Sequence, residues 1–171
     1  MTLQDDIQTW DKKSKQDILD VYNRHSGDAD FVGSLLDLSK HDDCSEGATW
    51  LLKHALENGL ELNDQHINVF CGLIELELSW QSKLHILQIL PFIIVPAEYK
   101  HQMMAFIRQS TEDENKFVRA WAYNGLYELA NTYPEYRDGL SVIFDAAQET
   151  EPPAVKARIR NVKKSIAKNW S

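Results

Sequence analysis

The strongest constraint on this chain is that it repeats itself. Val118–Ala130 aligns on Val155–Ala167 at an offset of 37 residues, with Val, Ala, Asn and the last Ala identical. One step of 36 residues earlier, Ser82, Lys83, Ile86, Gln88, Leu90 and Ile93 fall into the same columns. A period of this size means stacked supersecondary units, none able to bury its apolar face alone. A second set of columns lies between these. Phe31, Ile67, Met103 and Leu140 form one, Leu35, Cys71, Ile107 and Phe144 the next, and Leu38, Ile74, Ser110 and Ala147 the third. The steps of four and seven within each unit describe one apolar stripe on a helix. The matching stripe of the second helix is Val118, Ala122, Leu126 and Leu129. Each unit therefore reads as two antiparallel helices with facing stripes.

Start and stop signals agree. Ser14, Asn63, Ser79 and Asn115 stand where N-caps are needed, and Asp43 with Glu46 has capping-box spacing before Trp50. Gly27 and Asn58-Gly59 end helices, and Pro91 ends or kinks one. Pro96, Pro134 and Pro152 or Pro153 suit first helical turns. No segment alternates like a strand next to a hairpin turn, so the expected class is all-α. The first unit departs from register. His54 and Glu57 occupy apolar columns there, and Leu51, Leu52, Ala55 and Leu56 are the expected substitutes. Lys163 replaces a leucine in the last unit. Such departures suit terminal units, which turn a polar face to water. Residues 1–27 lie outside the register and read as an N-terminal cap, residues 28–168 as repeats, all in one domain.

Two helices per unit, with Val-Arg or Val-Lys opening the second, resemble the HEAT and HEAT-like repeat family. Asp113 to Arg119, Ala122 and Leu126 to Leu129 carry the likeness best. It implies a right-handed α-α superhelix, a HEAT-like solenoid of about four repeats. It also implies a tie between repeats through an Asp and a basic residue six positions later. The basic column is Lys83, Arg119 and Lys156, with Glu77, Asp113 and Thr150 as partners; Gly47 breaks it in the first unit. Such stacks are binding scaffolds, so the implied role is protein–protein interaction through the face lined by the second helices.

Charge narrows the partner. The net is −8, and the six cations from Pro152 onward have no acid among them, leaving 12 basic and 26 acidic residues elsewhere, a net of −14. That balance disfavours a phosphate backbone and suits a protein with a basic surface. The N-terminus has no basic or apolar leader, and the apolar run Ile89–Ala97 holds two prolines, so a cytoplasmic protein without membrane insertion is expected. Cys44 and Cys71 read as small buried residues rather than a disulfide.

The candidate binding residues are those that packing alone does not require. Gln88, Asn124 and Asn161 form an amide column on the second helices. Tyr123 and Tyr127, one turn apart, make a candidate aromatic patch with Arg119 and Asn124, and Lys83 is a further candidate on an earlier repeat; Trp121 is expected in the core. The run His41-Asp42-Asp43-Cys44 holds four adjacent metal-ligand types, but adjacent residues seldom converge on one ion, and a solvated turn is the simpler reading. No Gly-rich phosphate loop occurs, and no histidine is followed by glutamate as in HEAT-like metal hydroxylases, so neither cofactor nor metal is expected. The alternative function is a HEAT-like DNA glycosylase or other HEAT-like enzyme. It would recast Trp121, Arg119 and Asp113 as a base-binding set, against the acidic balance.

Overall fold

The computed structural model describes residues 1–170. Among them are ten α-helices, four short 3-10 turns and no strand. The chain divides into two compact units, Met1–Ile93 and the segment from Ile94 onward.

The first unit holds α1 (Leu3–Thr9), α2 (Lys15–His25), α3 (Phe31–Leu38), α4 (Ser45–Glu57), α5 (Asp64–Gly72) and α6 (Trp80–Ile89). The Ser14, Asn63 and Ser79 side chains accept backbone N–H groups at the expected starts. α4 differs, because its cap is Cys44 without a side-chain bond. The Asp43 carboxylate instead accepts from the Gln8 amide of α1. At the far end of α4, Gly59 takes a φ of +96°, and the Leu60 N–H turns back to the Ala55 carbonyl at 3.0 Å.

Helix α1 is an element the repeat pattern does not reveal. A reciprocal capping box between Thr2 and Asp5 starts it, and Ile7 anchors it by burial. A Cβ on Gly47 of α4 would stand 2.8 Å from the Ile7 Cγ2, so only glycine lets α1 approach this closely.

α3 packs on α4 and on α5, and α4 packs on α6. Leu51, Leu52, Ala55 and Leu56 are buried, as the irregular first unit requires, while His54 and Glu57 are not. Each such leucine contributes roughly 1.5–3 kcal/mol. The α4–α6 seam also carries polar pairs. Ser45 Oγ lies 2.9 Å from Ser82 Oγ, 37 positions apart, and Thr49 Oγ1 lies 2.8 Å from His85 Nδ1, 36 positions apart. Residues one repeat apart in sequence thus touch.

The second unit holds α7 (Lys100–Ser110), α8 (Lys116–Thr132), α9 (Leu140–Thr150) and α10 (Pro153–Asn169). Pro153 is the first residue of α10. Pro134 instead opens a 3-10 turn, and Pro96 precedes another, so α9 and α7 begin a few residues later. α8 is the central helix, packed on both α7 and α10. Val118, Ala122, Leu126 and Leu129 are buried in it, and Val155, Ile159 and Val162 match them on α10. Among the described residues no helix is long and apolar enough to cross a membrane.

Candidate binding surface

Four residues of α8 escape full burial along one line: Phe117, Trp121, Asn124 and Glu128, at spacings of four, three and four. That periodicity sets them on one face. Their counterparts 37 positions later on α10 are Ala154, Arg158, Asn161 and Ser165. The two rows meet where the Arg158 guanidinium carbon stands 4.1 Å from the Trp121 ring centroid. Trp121 is therefore half-buried at a surface rather than in the core as its sequence context suggests. Phe117 is 48% exposed beneath the Lys116 ammonium, 5.3 Å from its ring centroid. Partial burial pushes the Glu128 carboxyl above the usual carboxylate range.

Asn124 is half-buried and Asn161 exposed. Among the described residues no side-chain hydrogen bond joins them or reaches either amide from elsewhere, so their donors and acceptors stay open to solvent or a ligand. Gln88, the third amide of the column, is half-buried on α6 in the first unit, as is Lys83.

The tyrosine patch is corrected by burial. Tyr123 and Tyr127 are only 7% and 8% exposed. Tyr123 sets its ring edge-on to Phe144 at 6.3 Å. Tyr127 stacks on Trp170 at 5.5 Å, and its hydroxyl accepts from the Asn169 amide at 2.8 Å. Trp170 is also covered by Arg137, whose guanidinium carbon lies 4.6 Å from the ring, and its indole N–H donates to Asn131 at 3.0 Å. The repeat register stops short of Trp170, so this cluster left no signal beyond an aromatic residue after an amphipathic helix.

Arg119 serves as a tie. Its Nε donates to both Glu151 carboxylate oxygens at 3.1 Å, and Nη1 donates to the carbonyls of Asp113 and Glu114 at 2.9 and 3.0 Å. The acidic partner across to the next helix pair is thus Glu151, one position beyond the Thr150 of the expected column. The Asp113 carboxylate accepts the Asn115 N–H at 2.8 Å. Two residues apart on α8, Arg119 and Trp121 leave the helix about 200° apart, the first bonded to Glu151 and the second stacked under Arg158.

The His41–Cys44 run also diverges. Cys44 is fully buried, His41 and Asp42 are exposed, and Asp43 turns to Gln8. Burial, reinforced by the Asp43 charge, pushes the Cys44 thiol up to about 11. Among the described residues no three His, Cys, Asp or Glu side chains gather as metal ligands. No protein-family model matches the chain, no curated protein matches its sequence, and no solved structure matches its fold.

Proposed function

We propose that the chain is a cytoplasmic HEAT-like scaffold whose helix pairs continue one another as a right-handed superhelix, and that it binds a partner protein through the exposed face of its second helices. Side-by-side packing of α4 with α6, and of α8 with α10, supports the repeat reading inside each unit. The observation that carries the binding role is the Trp121–Arg158 stack with Phe117, Asn124 and Asn161 beside it. Aromatic and arginine side chains are enriched at interfaces, and unpaired amides beside them supply directional contacts. The stack fixes both side chains before a partner arrives, which lowers the ordering cost of association.

A photo-crosslinking residue at Asn124 or Asn161 tests this, with the same residue at Asp17 of α2 as control. One protein is expected to be captured from both strip positions and not from Asp17. Trp121→Ala and Arg158→Ala are expected to abolish capture with little change in melting temperature. Equal capture from Asp17, or capture indifferent to both substitutions, overturns the reading. Retention on duplex DNA at low salt would favour a nucleic-acid role in its place.

A further inference from the structure

In the second unit a cleft of about 330 Å³ opens between the first turns of α9 and the last turns of α10. That volume lies at the small end of ligand sites, which run from about 300 to 1,000 Å³. Its origin is legible in the repeat. Leu126 of α8 is buried, and the residue 37 positions later on α10 is Lys163. Where α8 sets an apolar side chain into its seam, α10 sends an ammonium across to the Asp145 carboxylate of α9 at 2.6 Å. The pair lines the cleft rather than filling it.

A terminal repeat that turns a polar face to water accounts for the lysine but not for the walls. Leu140 and Phe144 of α9, each 1% exposed, lie at the floor, and the half-buried Ile166 and Trp170 of α10 stand beside them. Apolar surface kept open in this way gains free energy when an apolar group covers it.

The polar groups at the edge are donors. Arg137 lies over the Trp170 ring at 4.6 Å, with Nε on the Ala130 carbonyl at 3.1 Å and Nη2 on the Asn131 carbonyl at 3.4 Å. Its Nη1 makes no hydrogen bond, and its guanidinium no ion pair, among the described residues. The Ser141 hydroxyl is unbonded in the same sense. Asp145, the one acid on the lining, is engaged by Lys163, loosely, since its side chain is 71% exposed. An unpaired positive charge, held in place by an aromatic ring and two carbonyls, thus stands at the edge of an apolar cleft. A single negative charge balances it.

We propose that this cleft binds a small aromatic monocarboxylate, its ring against Phe144, Ile166 and Trp170 and its carboxylate on Arg137 Nη1 and the Lys163 ammonium. Lys163, Ile166 and Trp170 lie on a different face of α10 from Arg158, Asn161 and Ser165, so the site is independent of the proposed protein-binding strip.

The probes are phenylbutyrate, its uncharged amide and acetate, titrated into the full chain and followed by amide NMR shifts. Phenylbutyrate is expected to move resonances of residues 137–145 and 163–170. The amide, which lacks the charge, and acetate, which lacks the ring, are each expected to bind at least tenfold more weakly. Arg137→Gln is expected to weaken the acid about tenfold and to leave the amide unchanged. Lys163→Leu, which restores the apolar column, is expected to weaken the acid to a similar degree. Lys168→Gln removes a charge from an exposed position of the same helix and is expected to leave affinity unchanged. Equal binding of acid and amide, acetate as tight as phenylbutyrate, shifts absent or centred elsewhere, an equal loss of acid and amide in Arg137→Gln, or a tenfold loss in Lys168→Gln overturns the proposal.

Discussion

Asp6 Oδ2 stands 2.7 Å from His25 Nε2 and 3.1 Å from the Arg24 guanidinium, while His25 Nδ1 faces Asp28 at 3.1 Å. Asp6 belongs to α1 and is buried, so this cluster fastens α1 to α2. The His25 hydrogen bond, aided by Arg24 and opposed by burial, holds the Asp6 carboxyl below its ordinary value. A carboxyl lowered in the folded state stabilises above the normal carboxylate range, and that contribution fades as pH falls through the folded value. Asp6→Asn is expected to cost about 2 kcal/mol by loss of charge-assisted bonds. Hydrogen exchange should show the loss first in residues 3–9.

Gly47→Ala tests the seat of the same helix. Alanine favours an isolated helix over glycine by about 1 kcal/mol. Here its methyl group would press within 2.8 Å of Ile7. Overpacking costs about 1–3 kcal/mol, so a net loss is expected despite the better propensity. Deleting residues 1–10 should remove the penalty and make Gly47→Ala stabilising, which denaturant unfolding of the two backgrounds would measure.

His85 gives the pH dependence its direction. It is 8% exposed, and burial, assisted by the Lys53 charge, lowers its pKa to about 3 from 6.5. Below pH 6.5 the unfolded chain takes up a proton that the folded chain refuses, so stability falls as pH drops towards 3. The slope expected from this residue is about 1 kcal/mol per pH unit. Urea unfolding at pH 7.5 and 5 should show it, and His85→Gln should flatten it.

Arg119→Ala is expected to cost about 2 kcal/mol, because it strands a Glu151 carboxylate that is only 13% exposed. Arg119→Lys should rescue little, since one ammonium cannot serve two carbonyls and a carboxylate from a planar fork. A double-mutant cycle with Glu151→Gln isolates the pair from the carbonyl bonds.

How far the sequence could be read depends on what each residue's signal is made of. Caps at Ser14, Asn63, Ser79 and Asn115 are local chemistry, visible in a few residues. The stripes of α8 and α10 are periodic and survive translation by 37 positions. Tyr123 and Tyr127 misled because α8 is enclosed by α7 and α10, and a helix packed on two neighbours buries more than one stripe. Trp121 misled in the opposite sense, since it adjoins the stripe in sequence but sits on the open side. Helix α1 is short and polar, held by one buried isoleucine and by partners distant in sequence, so no period announces it. Glu151 escaped by a single position, because the turn before α10 shifts the acidic partner off the column.

The depth of the two thiols has a practical side. Cys44 is 0% exposed and Cys71 1%, and Cys44 stays protonated at neutral pH. Thiolate chemistry therefore finds almost nothing to react with on the native surface. A cysteine introduced at Asn161 would then be the fast-reacting thiol of the chain. Maleimide dyes or spin labels could be placed singly on the proposed binding face without first removing the native residues, and a rise in reactivity at Cys44 would report the opening of the α4 seam.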